Sequence, residues 1–212
     1  MFSNSILLMK KVNDQAREKL IEGAGAFSSD FDKFSYICSE FLNNYKFDYS
    51  VLAPYDERER FFNTWEFEYE GKKYFSRSYD KADPLEKYGV AVSPSLHALK
   101  AGTCATFTRE LEIFAKEFNV KYKVINKPVM CYDELYKKNN GVREMMHYYI
   151  LLELDGEEYK IDVAGALMAI DYKKKNPDEN ISPSDFMFVD VNAKNPFDDL
   201  YQKIKGQPGE DE

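Results

Sequence analysis

The sequence contains few of the residues that build metal sites and disulfide frameworks. It has three cysteines and two histidines among 212 residues. An odd number of cysteines in a chain of this length does not indicate a disulfide framework and suits a reducing compartment. Two histidines with scattered cysteines provide no zinc-ligand set, and no acidic loop of the EF-hand calcium type occurs. We therefore expect a protein with no metal ion and no cofactor.

Positive charge is also in deficit. The 29 Lys and Arg residues stand against 37 Asp and Glu residues, which gives a formal net charge of −8 at pH 7. Proteins that bind nucleic acid contact its phosphates through clustered Lys and Arg. The longest basic run, Lys173 to Lys175, is interpreted as a solvated helix end. We therefore expect no nucleic-acid partner.

Long apolar stretches are absent as well. No window approaches the roughly 18 uncharged apolar residues that a membrane helix needs. The apolar stretch 6–9 is followed directly by two lysines and has no basic residue before it, which is not the pattern of a signal peptide. These features predict a cytoplasmic protein with no membrane partner. The content of 44% hydrophobic and 16% aromatic residues predicts one folded domain with its own core.

The hydrophobic periodicity predicts a mixture of helices and strands. Helices are predicted at 5–22, at 30–45 with Ser29 and Asp30 as cap candidates, from Thr103 onward, near 167–174 and near 197–204. Strands are predicted as a hairpin within 61–79, at 120–125, at 147–154, at 157–163 and in the apolar run 186–191. The stretch between 125 and Met146 is predicted to be irregular. The chain shows no internal repeat and no clear linker.

Cys104 is the first candidate for chemistry, because it lies in the first turn of the helix predicted from Thr103. That helix has an apolar face that includes Phe107 and a polar face that includes Glu110. A helix N-terminus stabilises the negative charge of a thiolate, which is the nucleophilic form of cysteine. Gly102 is expected to let the backbone turn and to leave room for a substrate chain near the sulfur. The alternative for Cys104 is an ordinary buried core residue.

The Asp-Gly pair at 155–156 provides the possible partners of this cysteine, because it is a strong hairpin signal. A two-residue turn there places Tyr149 opposite Asp162 in the paired strands. His147 shares a face with Tyr149, so His147 and Asp162 are diagonal neighbours within reach of a side-chain hydrogen bond. A histidine oriented by a carboxylate beside a thiol is the general form of an activated nucleophile.

Structural interpretations stand beside these assignments. His147 and Asp162 could each be an ordinary strand residue, and Lys160 on the same face is an alternative partner for Asp162. The second histidine, His97, is predicted to be solvated on a polar helix. Cys38 is predicted to be a core residue and Trp65 to have a packing role. Nothing in the sequence places a base beside Cys131.

Three segments carry a resemblance to a known family. Residues 93–123, SPSLHALKAGTCATFTRELEIFAKEFNVKYK, resemble the cysteine-helix segment of the transglutaminase-like superfamily. Residues 147–163, HYYILLELDGEEYKIDV, are similar to the His-x-aromatic strand, Asp-Gly turn and returning strand of that family. Residues 34–50, FSYICSEFLNNYKFDYS, resemble a helix and Tyr-Asp segment that precedes the core in many bacterial members. The three occur in the expected order and cover about half of the chain.

The resemblance implies an α+β fold with a papain-like, transglutaminase-like core. Its nucleophile helix would pack on an antiparallel sheet, after N-terminal helices. One domain would contain a helical part of about 1–60, a catalytic core of about 90–165 and a C-terminal extension of about 166–212. The resemblance also assigns Cys104 as the nucleophile, His147 as general base and acid, and Asp162 as the residue that holds the imidazole.

The implied activity is thiol-dependent acyl transfer on a protein or peptide substrate. Hydrolysis by a cysteine peptidase or deamidase is favoured, because water is always present as an acceptor. The alternatives are a protein-glutamine transglutaminase that uses an amine acceptor and a non-catalytic protein-binding module with the same fold. Two residues depart from the usual pattern. Tyr149 stands where the family usually has tryptophan, and Val163-Ala164 stands where it usually has Pro-Thr; both departures concern the acyl-binding cleft and therefore the identity of the substrate.

Overall fold

The computed structural model describes residues 4–48, 66–75, 96–132, 142–178, 182 and 189–190. The helices in these ranges are α1 (Asn4–Ala24), α2 (Asp30–Asn44), α3 (Leu96–Leu99), α4 (Cys104–Glu117) and α5 (Val163–Lys175). The strands are β1 (Lys46–Phe47), β2 (Glu66–Tyr69), β3 (Lys72–Phe75), β4 (Ala101–Gly102), β5 (Tyr122–Tyr132), β6 (Val142–Leu154), β7 (Glu157–Ile161) and β8 (Val189–Asp190). The architecture mixes helices with an antiparallel sheet, which agrees with the expected α+β class.

The main sheet contains four of these strands in the order β5-β6-β7-β8, and every neighbouring pair is antiparallel. The turn between β6 and β7 has positive φ angles at both central residues, 52° at Asp155 and 91° at Gly156. Two such residues form a turn whose twist matches that of the flanking strands. Leu154 pairs with Glu157 and Ile150 with Ile161, so the predicted register is confirmed.

Helix α4 packs on this sheet through an apolar stripe at helical spacing. Phe107, Leu111 and Phe114 are each at most 1% exposed and belong to the same buried cluster as Ile150 of β6. The helix begins at Cys104, directly after the N-cap residue Thr103. The side chains of Thr103 and Thr106 form a capping box. The prediction of a helix from this point is confirmed, and the spacing of the apolar residues explains which face is buried.

Helix α2 packs into the same cluster, and the β6–β7 turn meets its first residues. The Asp155 carboxylate accepts the backbone N–H groups of Asp30 and Phe31 at 3.0 and 3.1 Å. These two hydrogen bonds lower the pKa of Asp155. A negative charge at a helix N-terminus is favourable, so the turn residue also fixes the hairpin against α2. Of the two cap candidates, Ser29 is the N-cap and Asp30 is the first helical residue.

Two predicted boundaries are wrong on either side of the hairpin. The stretch predicted as irregular is strand in its described parts, because β5 continues to Tyr132 and β6 begins at Val142. Pro128 obscured this pattern, yet β5 lies at the edge of the described sheet, where proline is tolerated. The second error is at α5, which begins at Val163 instead of near residue 167.

The early start of α5 changes the local environment of Asp162 and Ala164, at the end of the predicted strand. Asp162 follows the last residue of β7 and is the N-cap of α5, because its side chain accepts the N–H of Gly165. Ala164 is therefore helical and does not lie opposite His147, as a longer strand would require. The predicted hairpin within 61–79 is confirmed where it is described, at β2 and β3. The remaining parts of 61–79, residues 186–188 and 191, and the helix near 197–204 lie outside the described residues.

Candidate active site

Cys104 is the first residue of α4 and is 8% exposed. Its thiol donates a long hydrogen bond, of 4.0 Å, to the backbone carbonyl oxygen of Met146, which is the residue before His147 on β6. Thr103, the N-cap, keeps the chain extended immediately before the sulfur. The cap and the sheet contact together fix Cys104 at the end of a helix whose N–H groups point toward it.

His147 and Asp162 come together from β6 and from the end of β7. The Nε2 atom of His147 lies 2.6 Å from Oδ2 of Asp162, and both side chains are buried. The imidazole also hydrogen-bonds the side chain of Cys104. Since Nε2 is engaged by the carboxylate, Nδ1 is the ring nitrogen left for the sulfur. All three residues that the resemblance singled out are therefore in one hydrogen-bonded chain.

The charge state of this chain follows from competing effects on His147. Burial alone would lower the pKa of His147, but the charge of Asp162 and the hydrogen bond to it outweigh burial and raise that pKa to about 10. Burial likewise opposes the ionisation of Asp162, yet His147 and Lys160 keep the pKa of its carboxyl below the usual value. The pair is therefore an imidazolium and a carboxylate near neutral pH.

Lys160, the alternative partner of Asp162, lies beside His147 and does not replace it. Its Nζ atom is 4.0 Å from the same Oδ2 atom that accepts the histidine bond. The ammonium also lies 4.6 Å from the centre of the Tyr149 ring. The ring of Tyr149 therefore lies near both Lys160 and His147, and its centroid is 6.3 Å from the centroid of the His147 ring. Tyr149 is the residue at which the resembling family usually has tryptophan.

Gly102 has a different role from the predicted one. A Cβ atom at this position would lie 2.6 Å from Cδ1 of Leu96 and 3.2 Å from Cε2 of Phe107. The open side of the glycine therefore faces α3 and the buried face of α4. The prediction that this position leaves room for a substrate is wrong, because core side chains occupy the space.

The predictions for His97 and Glu110 are also wrong, because both residues are buried. His97 is 3% exposed, with Nδ1 2.6 Å from the hydroxyl oxygen of Tyr45 and Nε2 3.0 Å from Oε1 of Glu110. Arg17 of α1 donates to both carboxylate oxygens of Glu110. Burial opposes ionisation of Glu110, but the hydrogen bonds from His97 and Arg17 lower its pKa. This network fastens α4 to α1 and α3.

No local pattern in the sequence indicates this network directly. Arg17 and Glu110 are separated by 93 residues, and a charged residue next to Arg109 on a helix is ordinarily expected to face solvent. One available signal was the low number of histidines combined with the position of His97 shortly before the nucleophile helix. That signal alone does not identify a partner.

The remaining candidates do not form a second site in the described part of the chain. Cys38 of α2 is fully buried, and burial raises the pKa of its thiol. Cys131 lies in β5 opposite Arg143, and Trp65 lies outside the described residues. Within the described ranges, no three His, Cys, Asp or Glu side chains are grouped so that they could hold a metal ion. The helices described there include none with the length and apolarity required to cross a membrane.

Comparisons with known proteins give limited matches. No family model matches the sequence, and no curated protein matches it. Among solved structures, the chain is similar to a crystal structure of a TGase, with 16% sequence identity and a TM-score of 0.40. This match covers 72% of the present chain and 31% of that chain.

Proposed function

We propose that the protein is a cysteine hydrolase of transglutaminase-like type, which cleaves an amide or peptide bond through a thioester on Cys104. The observation that supports this proposal is the hydrogen-bonded chain from Cys104 through His147 to Asp162. A thiol at a helix N-terminus, with a histidine held by a buried carboxylate, has the groups needed for nucleophilic catalysis. The substrate in this proposal is a protein or peptide.

Acylation is the first proposed step. The Cys104 sulfur, as the thiolate, attacks the carbonyl carbon of the substrate and forms the C–S bond. The carbonyl oxygen of the tetrahedral intermediate carries the negative charge, and the backbone N–H of Cys104 is the proposed donor to it. The C–N bond then breaks, and the departing nitrogen takes the proton of the His147 imidazolium. The products are a thioester and a free amine or ammonia.

Deacylation is the second step and returns each group to its starting state. The now neutral His147 accepts a proton from water, whose oxygen attacks the thioester carbonyl. The C–S bond breaks to release a carboxylic acid and the Cys104 thiolate, and the proton taken from water leaves His147 as the imidazolium again. Asp162 stays ionised throughout and keeps the imidazole in one orientation. Water is the proposed acceptor because an amine requires a binding site of its own.

A peptide panel with a labelled primary amine tests the proposal. The panel contains glutamine peptides and ordinary peptides, and mass spectrometry identifies cleaved, deamidated and amine-labelled products. Hydrolysed product with little amine incorporation is expected. Cys104→Ala should abolish the product, whereas the matched variant Cys38→Ala should retain it, because Cys38 is buried in the core.

Other outcomes identify the alternatives. Dominant amine incorporation that rises with amine concentration would contradict hydrolysis and indicate a transglutaminase with the same three residues. No product and no acyl adduct on Cys104 with any peptide would contradict the enzyme proposal and favour a non-catalytic binding module.

A further inference from the structure

Lys160 is a buried lysine beside the candidate triad, and the mechanism proposed above does not use it. Its side chain is 9% exposed, and its Nζ atom lies 4.0 Å from Oδ2 of Asp162. Lysine is almost never buried without a partner, because desolvation of the ammonium is costly. The contacts with Asp162 and with the Tyr149 ring explain how the charge is held there.

The strand register explains why this lysine reaches the same carboxylate as His147. Lys160 of β7 pairs with Leu151 of β6, and Asp162 follows two residues later. Side chains two residues apart in a strand point to one face, so His147 and Tyr149 share the face of Leu151. The ring of His147 and the ammonium of Lys160 therefore approach Oδ2 of Asp162 together.

Charge balance in this buried cluster depends on the lysine. With Lys160 and Asp162 both ionised, the cluster is neutral when His147 is neutral and Cys104 is a thiol. Protonating His147 leaves one unpaired positive charge, which a Cys104 thiolate neutralises. Without Lys160, Asp162 would neutralise the imidazolium by itself, and no charge balance would favour the thiolate. If His147 is protonated while Cys104 is still a thiol, the imidazolium cannot accept a proton and the sulfur is not in its nucleophilic form.

We propose that Lys160 is a positioning residue that acts through Asp162 and couples the protonation of His147 to the ionisation of Cys104. This inference rests on the proposed function. The steps of that function assign Lys160 no bond to a reacting atom. Its charge limits how strongly Asp162 alone stabilises the imidazolium, and its positive potential favours the thiolate over the thiol.

Other charged and titratable groups face this cluster from the elements packed around it. Among the residues that the structure describes, they are Cys104 from α4, Lys127 from β5, Tyr149 from β6 and Asp162 at the start of α5. Lys127 pairs with His147 across the β5–β6 ladder, and its ammonium lies 5.8 Å from the centre of the Tyr149 ring. It is only partly buried, so solvent screens its charge more than that of Lys160. This difference makes Lys127 a matched control.

The test compares Lys160→Met, Lys160→Gln and Lys160→Arg with wild type and with Lys127→Met. The rate of Cys104 alkylation by iodoacetamide is measured from pH 5 to pH 10 by mass spectrometry, and the His147 ring protons are titrated by NMR over the more alkaline range that a pKa of about 10 requires. In the neutral variants, the midpoint of the alkylation profile and that of the His147 titration should both rise by about one pH unit, with about tenfold slower alkylation at pH 7. Lys160→Arg should keep the wild-type profile, and Lys127→Met should shift the two midpoints much less than Lys160→Met does. Thermal unfolding checks that each variant is folded.

Several results would overturn the inference. One is an unchanged pair of midpoints in the folded neutral variants. A second is an arginine variant that shifts as much as the methionine variant, since the effect would then come from packing. A third is that Lys160→Arg folds but Lys160→Met and Lys160→Gln do not, which would make Lys160 a structural ion-pair residue. In these cases the proposed function stands if the wild-type protein gives hydrolysed product in the peptide panel. If it gives no product and no acyl adduct on Cys104, the proposed function fails and this inference fails with it.

Discussion

The carboxylate of Asp162 accepts a hydrogen bond from His147 with one oxygen and caps a helix with the other. Oδ2 lies 2.6 Å from Nε2 of His147, while Oδ1 accepts the N–H of Gly165 at 2.9 Å. One buried side chain therefore orients the imidazole and begins α5. Substitutions that preserve the cap but remove the charge separate these two roles.

Asp162→Asn is the substitution that makes this separation. The asparagine oxygen can still accept the N–H of Gly165, but the neutral side chain no longer stabilises the imidazolium. In the proposed enzyme, turnover should fall by about 10³ to 10⁴-fold, with the helical circular dichroism signal unchanged. Asp162→Ala is the comparison, because it should lose about 1 kcal/mol of cap stabilisation in addition. An asparagine variant with most of its activity would contradict the orienting role of Asp162.

The stability of the protein should depend on pH in a window set by the same pair. The folded state raises the pKa of His147 from 6.5 to about 10. Because the folded state binds this proton more tightly than the unfolded chain, its stabilisation is complete below pH 6.5 and is lost as the pH rises toward 10. Asp162 has the opposite sign, because its pKa is lowered. Its contribution is present above the ordinary carboxyl pKa and is lost as the pH falls through the lower folded value.

Urea unfolding at a series of pH values measures this dependence. Relative to His147→Gln, the free energy of unfolding of the wild type should fall by a few kcal/mol between pH 6.5 and 10. The glutamine variant removes the titrating ring while keeping a polar side chain of similar reach. Parallel curves for the two proteins above pH 6.5 would mean that the folded state does not hold the His147 proton.

The parts of the site that the sequence predicts are those fixed by local geometry. The Asp155-Gly156 turn sets the β6–β7 register, because only a two-residue turn with positive φ angles fits both strands. The period of two then brings His147 near Asp162. The start of α4 follows in the same way from the cap at Thr103.

The parts that the sequence does not predict depend on contacts between distant segments. Glu110 meets Arg17 and His97 only after α1, α3 and α4 have packed, and the local pattern places Glu110 and His97 on solvated helix faces. Gly102 likewise gives no sign of its neighbours, since Leu96 and Phe107 surround it only in the folded chain. Long-range packing therefore accounts for the errors at these positions.

Removing the Glu110 carboxylate should be strongly destabilising. Glu110→Ala leaves His97 and Arg17 without their shared partner in a buried setting, and the free energy of unfolding should fall by about 3 kcal/mol. The control is Lys121→Ala, which removes an exposed ion pair with Glu153 and should change stability by less than about 1 kcal/mol. Chemical denaturation measures both. Equal, small losses in the two variants would mean that the buried network contributes no more than a surface pair.

Adding a methyl group at Gly102 should destabilise the protein by crowding Leu96. The new Cβ of Gly102→Ala would lie 2.6 Å from the Leu96 side chain, which is shorter than any ordinary contact, so the neighbour must move. Overpacking of this kind costs about 1–3 kcal/mol. Leu96→Ala opens the space, so the double variant should lose less stability than the sum of the two single losses, as measured by urea denaturation. Because Gly102 lies two residues before Cys104, the single glycine variant should also slow Cys104 alkylation, and the double variant should recover part of that rate. Strictly additive stability losses would show that the methyl group and Leu96 do not compete for the same space.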